Sequence, residues 1–333
     1  MNDQYANNRN GRYRQVTGHD FYRQGVIGLL FWFVFAVLVY TGAVELSLDG
    51  FLRLVALLLL LALFTIVPLG LSLVVRTDDG NPLLYAVLRT LQLPAAVVAA
   101  LSFLAEPGIG GALLTVPWLA ETGLIAILGI RRCTKRRPFS IRETGMDAGL
   151  VYVIVGGIWL TISRAGLTPM EFSPVIVLLT AAHFHYAGFA TPIIAAQAGE
   201  FLPSAGVIRS IYLFALWSVI LNPILIALGI TFSPLIEVIC SILLAVGLGV
   251  LALLIIGVLL RKIENGIARI FLLISSLSLL VTMTFAVLYT WGEYRGVAVV
   301  DIPGMVETHG IINALGFALC GLLGWEAAMR RSG

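Results

Sequence analysis

Charge is scarce in this 333-residue chain: Asp, Glu, Lys and Arg together make up 12% of it, about half the share usual in water-soluble domains. No soluble domain can be carved out, because the longest polar stretches are the first two dozen residues and RRCTKRRPFSIRETGM at 131–146. Cysteine is equally sparse. Cys133, Cys240 and Cys320 lie far apart without CxxC spacing, which excludes a disulfide framework and a cysteine-based zinc site. Cys133 reads as a loop thiol and the other two as small packing residues. Walker A, GxSxG, HExxH and glycine-rich dinucleotide motifs are absent, so the chemistries they carry lose their sequence support. A stripe of stacking aromatics is missing too, and the formal net charge is only +3; no nucleic-acid partner is expected.

What the chain has instead is apolar length. Hydrophobic residues make up 59% of it and the mean hydropathy is +0.98. A hydrocarbon layer of about 30 Å needs about 20 apolar residues per helix. Ten such runs are present, near 25–44, 52–75, 83–104, 109–130, 147–167, 173–198, 206–230, 234–260, 268–291 and 305–328. The expected fold is all-α, a polytopic transmembrane bundle of about ten spans. With the N-terminus inside, 17 of the 21 basic residues fall on one side, among them Arg9, Arg12, Arg14, Arg76, Arg137, Arg209, Lys262 and Arg331. Only Arg53, Arg164 and Arg295 fall outside, and Arg89 lies within a span. This asymmetry predicts cytoplasmic termini and makes membrane lipids the expected partners of the basic residues.

Residues 1–24 read as a flexible cytoplasmic tail, 25–328 as one integral domain of the cell membrane, and 329–333 as a cytoplasmic end. The first run could be a secretory signal, with Thr41-Gly42-Ala43 as its cleavage site, but its spanning length and the charge count favour a retained anchor. Pro68, Pro94, Pro117, Pro192 and Pro223 sit within spans. Their contexts show no half-to-half correspondence of the kind a rocking-bundle transporter would carry.

Three of the four histidines lie in spans: His183 and His185 in VLLTAAHFHYAGFATP, and His309 in GMVETHGIINALGFALCG. Titratable side chains are costly at that depth, which makes them site candidates. Residues two apart on a helix point nearly opposite ways, so His183 and His185 face one ligand only where the helix is distorted, and Pro192 gives such a distortion some basis. The plain alternative is a hydrogen bond to a neighbouring helix. In the last span His309, Asn313, Gly316 and Cys320 form one stripe. Its small residues invite a close neighbour, across which His309 and Asn313 can reach. Both histidine segments fall in the outer half, below an acidic mouth that includes Glu171, Glu237, Glu293, Asp301 and Glu307. Glu121 is near the middle of span four, where a carboxyl is expected to be protonated or paired, with Arg89 the obvious partner. Asp147 reads as a cap at the inner end of span five.

At HFHYAGF (183–189), MxxxHGxxNALGF (305–317), PW (117–118), DAGLVY (147–152) and CGLLGW (320–325) the chain resembles the YndJ-like family of bacterial integral membrane proteins, over roughly 110–328. The resemblance implies a polytopic membrane protein, of a kind sometimes labelled a transporter, and it strengthens the choice of residues more than of function. Two function classes stay open. The first, narrowly preferred, is a membrane-embedded enzyme on a lipophilic small molecule, an isoprenoid-like one being a candidate. His309, Glu307, Glu121 and His183 would supply acid/base groups, Asn313 would orient, and His185, Tyr186, Trp118 and Phe317 would line the pocket. The second is a proton-linked or small-molecule transporter using the same groups. A metal variant would take His183, His185 and His309 to zinc or iron, with Glu307 as a fourth ligand; a single bis-histidine haem stays open as well, whereas a cytochrome b-like haem pair lacks its second same-face histidines. No cofactor is required by the sequence, and no oligomeric state is set by it. The cavity is expected in the outer half, between spans four, six and ten.

Overall fold

Hydrocarbon offers a backbone no hydrogen-bond partners, so a spanning chain must satisfy its own amides within helices. The computed structural model describes residues 16–48, 50–75, 81–136, 140–297 and 299–330, and among them ten helices are long and apolar enough to cross a membrane. They are α1 (Gly18–Tyr40), α2 (Gly50–Val74), α3 (Pro82–Leu104), α4 (Ile109–Lys135), α5 (Ile141–Arg164), α6 (Pro174–Ala198), α7 (Val207–Phe232), α8 (Pro234–Leu259), α9 (Gly266–Arg295) and α10 (Ile302–Met329). Residues 1–15 of the expected tail, with Arg76, Arg137 and Arg331, lie outside the described residues.

Polar side chains set several helix starts. Thr17 and Asp20 form a reciprocal cap that begins α1 at Gly18, earlier than the apolar run alone indicated. Ser140 accepts from the Glu143 amide and starts α5 ahead of the expected 147. Ser173, Ser233, Asn265 and Asp301 cap α6, α8, α9 and α10 in the same way. Each occupies an amide that the first turn leaves without a partner.

The helices gather around α2. The most apolar window of α2 is 89% buried, against 39% for the still more hydrophobic α8. Side chains from four other helices donate to α2 carbonyls. Trp32 of α1 reaches Leu57, Tyr186 of α6 reaches Leu58, Gln92 of α3 reaches Leu63, Gln197 of α6 reaches Leu73, and Arg132 of α4 reaches Val74. From α10, Glu326 accepts from Ser72. Close approach to α1 depends on glycine: a Cβ at Gly28 would lie 1.8 Å from the Phe64 carbonyl oxygen, and one at Gly18 2.5 Å from that of Ser72.

Arginines tie the two ends of the bundle. At one end Arg164, fully buried, donates to the carbonyls of Ser102 and Ala105 and to the Ser47 hydroxyl, and its guanidinium lies over the Phe103 ring. At the other, Arg132 is 2.9 Å from Asp147 and 2.7 Å from Glu143, and Arg136 is 2.6 Å from Asp147. Asp147, six residues past Ile141 in α5, is therefore not a cap as expected but a member of an ion network between α4 and α5, because Ser140 starts the helix earlier. The expected Arg89–Glu121 pair does not form. Arg89 lies near the Arg132 end and reaches Asp20 of α1 at 3.6 Å, while Glu121 is turned into the bundle without it.

Gly28→Val should lower the midpoint of thermal unfolding in detergent by several degrees, in keeping with an overpacking cost of about 1–3 kcal/mol. Gly123→Ala, whose added Cβ would meet only Ile154 at 3.8 Å, should leave it unchanged. Equal shifts for the two would show that the α1–α2 contact is not formed as described.

Candidate functional site

The two histidine motifs coincide with π-helical turns. In α6 the stretch Phe184–Ala190 is π-helical, and in α10 Val306–Gly310 and Ile312–Leu319 are. Such turns are uncommon and concentrate at functional positions. The carbonyls they offset find other donors. The Thr191 amide and hydroxyl both bond to Tyr186, and Ser275 donates to Phe317. The expected distortion at HFH is thus present, but it does not turn the two imidazoles to one side.

His185 is fully buried and accepts from the indole N–H of Trp118 on α4 at 3.0 Å through Nε2. Indole nitrogen only donates, so Nε2 is the unprotonated nitrogen, and Nδ1–H donates to the Ala181 carbonyl at 2.8 Å. The rings stack with centroids 5.8 Å apart. Gly156 of α5 makes room for this, since a Cβ there would meet Nδ1 at 2.5 Å. Trp118 is therefore a buried support for His185 rather than a pocket wall.

His309 is held in the same tautomer between α9 and α10. Nδ1–H donates to the Thr282 carbonyl at 2.9 Å, and Nε2 lies 2.9 Å from Asn313 Nδ2. The Thr282 hydroxyl closes the ring by donating to Asn313 Oδ1 at 2.9 Å. The small-residue stripe below packs on α9, with Gly316 against Ser278, Gly321 against Ser275 and Gly324 against Leu272. Phe317 is buried in this contact.

His183 differs. Its Nδ1–H donates to the Leu179 carbonyl at 2.8 Å, and the residue is exposed. Of the three histidines in the two motifs, it is the one whose Nε2 has no hydrogen bond. It lies within electrostatic range of His309. The segment around it explains the exposure. Residues 174–183 of α6 pack mainly on α2 and α5, whereas 191–198 pack on α2, α5, α7 and α10. The half of α6 nearer the Arg164 end thus lacks the packing on α7 and α10 that residues 191–198 make. Leu58 of α2 receives the Tyr186 hydroxyl at 2.8 Å and lies against Gly310 of α10. An apolar groove of about 340 Å³ is lined in part by Trp32, Leu57, Leu58, Ile311 and Leu315.

The facing parts of α6 and α10 therefore carry His183, Tyr186, His309 and Asn313, with Glu307 exposed two residues before His309. This group does not include Glu121, Trp118 or His185, so α4 does not contribute to it as expected. Nor does it join Glu121 to His309: both ring nitrogens of His309 are engaged elsewhere, and both carboxyl oxygens of Glu121 are buried without a hydrogen-bond partner. The three-histidine metal set is corrected too. His185 spends both nitrogens on Trp118 and Ala181, and no group of three His, Cys, Asp or Glu residues able to hold a metal occurs among the described residues. Sequence reasoning missed Thr282 and Leu58, which act through a hydroxyl and a carbonyl that carry no distinctive signal.

These features define a multi-pass helical membrane protein whose histidine motifs lie on π-helical turns. The profile of the YndJ-like protein family matches residues 57–317, and the chain belongs to that family. The match begins well before the motifs that first suggested it and takes in most of α2 and all of α3. The chain is 35% identical over 232 residues to the uncharacterized membrane protein YndJ of Bacillus subtilis (strain 168). That alignment covers 70% of this chain, which spans 41% of the relative's length. No solved structure matches.

Trp118→Phe keeps an aromatic ring but leaves His185 Nε2 buried without a donor. The expected cost is about 1–3 kcal/mol, read as a lower unfolding midpoint in detergent. An unchanged midpoint would mean that the indole bond does not fix His185.

Proposed function

We propose that this chain is a membrane-embedded enzyme that takes a lipophilic molecule between α6 and α10, with His183 as the acid/base group. The observation that carries the reading is the contrast among the three motif histidines: His185 and His309 have both nitrogens engaged, whereas Nε2 of the exposed His183 has no hydrogen bond. With Nδ1–H fixed on Leu179, Nε2 holds the lone pair that accepts a substrate proton and returns it at another atom. The His309–Asn313–Thr282 ring orients polar atoms on α10, and Glu307 is exposed two residues before His309. Lipophilicity follows from position, because His183 lies within a membrane-spanning helix and an apolar groove reaches Leu58, which receives the Tyr186 hydroxyl.

A transporter is the second reading. It is favoured by the asymmetry of α6, less packed near the Arg164 end than near the Arg132 end, as one inward- or outward-open state would be. Cells expressing the native chain or His183→Ala at matched membrane levels separate the two. An enzyme predicts a molecule of new structure in lipid extract or medium that is lost at least tenfold in the variant. Known structures merely redistributed between cells and medium would replace the enzyme reading with transport. No difference of either kind would remove His183 from both.

From the charge asymmetry we infer that the Arg132 end and both termini are cytoplasmic. Cys133, exposed at that end, should resist a membrane-impermeant maleimide in intact cells and react after permeabilisation. Labelling of intact cells would reverse the orientation.

A further inference from the structure

Glu121 is a site of its own. Its side chain is fully buried, and neither oxygen has a hydrogen-bond partner. On α4 it falls on the edge of the buried face shared with Leu128, turned from the Gly157 and Thr161 contacts with α5 toward α2 and α3. Gln92 of α3 is buried against α2. It spends its N–H on the Leu63 carbonyl of α2 at 2.9 Å and leaves Oε1 without a donor.

Register puts the two at one depth. Arg164 fixes a common level at the end of the α3–α4 hairpin, because it donates to the Ser102 carbonyl while its own carbonyl lies against Gly111. Gln92 is ten residues from Ser102 along α3, and Glu121 ten residues from Gly111 along α4. At 1.5 Å per residue the two helices reach the same level. Three buried oxygen acceptors, Glu121 Oε1 and Oε2 and Gln92 Oε1, thus fall at a similar depth, and none of them has a hydrogen-bond partner among the described residues. Buried acceptors are costly unless something donates to them.

No charged side chain faces this level. On α4 the nearest is Arg132, three turns away and engaged by Asp147 and Glu143. On α3, Tyr85 lies beside Arg132 and Arg89 faces Asp20. On α5, Arg164 is bound at the hairpin end and the Tyr152 hydroxyl donates to Ile220. From α6, His185 is taken by Trp118, and from α2 the only charged side chain is Arg53 near its start, which donates to Leu48.

We propose that Glu121 and Gln92 form a proton-binding site between α2, α3 and α4, separate from the His183 group, in which the carboxylic acid O–H of Glu121 donates to Gln92 Oε1. One proton converts an acceptor-only cluster into a hydrogen-bonded one and avoids a buried, unpaired carboxylate. A dehydrated sodium ion on the same oxygens is the competing occupant. The proposal is independent of how His183 acts.

Infrared difference spectroscopy on the full chain in lipid vesicles at neutral pH tests it, with Glu121→Gln as the reference because an amide mimics the neutral acid in shape. A carboxylic acid C=O band should be present in the native chain and lost in Glu121→Gln, should shift to higher frequency in Gln92→Met, and should be indifferent to added sodium chloride. Absence of an acid band from Glu121, with its intensity in the carboxylate region, would overturn the proposal. Loss of the band on adding sodium at fixed pH would replace the proton by a cation. A band unmoved in Gln92→Met would remove Gln92 from the site. Gln92→Met also frees the Leu63 carbonyl; should it fail to fold, the native band itself decides, because a hydrogen-bonded acid absorbs below an isolated one.

Discussion

The backbone carbonyls of α2 are the constraint on which the other helices depend. A helical carbonyl has a second lone pair after its intrahelical bond, and in hydrocarbon there is no water to occupy it. Side chains from α1, α3, α4 and α6 take that place along α2, from Leu57 to Val74. Apolar packing against lipid-like neighbours discriminates poorly between arrangements, because lipid tails are as apolar as leucine. These few directional bonds, with the glycine contact of α1 at Phe64, are what give the bundle a defined order around one post.

The polar residues obey the same rule, and their exceptions are informative. His185 with Trp118, and His309 with Asn313 and Thr282, are closed sets in which each ring nitrogen has one partner. Such sets contribute stability and fix a tautomer, and they leave little capacity for chemistry. The groups left open are those on which the proposals rest. His183 is open because the half of α6 that carries it lacks the packing on α7 and α10 that residues 191–198 make. Glu121 is open in another sense, enclosed by apolar side chains with its hydrogen-bonding capacity unspent. The π-helical turns link the two regimes: they offset carbonyls in α6 and α10, and threonine and serine hydroxyls satisfy some of them from nearby.

Much of this was legible in the sequence. Ten runs of spanning length became ten helices, and the stripe of His309, Asn313 and Gly316 identified the face that meets α9. The unlikely geometry of two histidines two residues apart was also foreseen, and they do point to opposite sides. What was not legible was partnership. Arg89 and Glu121 looked matched because both are charged and sit on successive spans, yet Arg89 lies near one end of the bundle and Glu121 near the middle. Trp118 and Phe317 looked like pocket walls because they are aromatic and lie in the motifs that carry the family resemblance. In the structure one is a hydrogen-bond donor in the core and the other a packed residue whose carbonyl accepts from α9.

By itself, then, the sequence determined that the chain lies in a membrane, how many spanning helices it has and which polar residues must be accounted for. Those properties follow from apolar length and the cost of charge at depth, both of which act locally. Only the tertiary structure decided which helix is central and which histidine is open. The apolar sequences of α2 and α8 are nearly equal in hydropathy, yet one is the buried post and the other a lipid-facing flank. A helix gains the same from leaving water whether its neighbours are lipid tails or other helices, so burial inside the protein leaves no mark in its hydrophobicity. The choice is made by hydrogen bonds and close contacts between residues far apart in the chain.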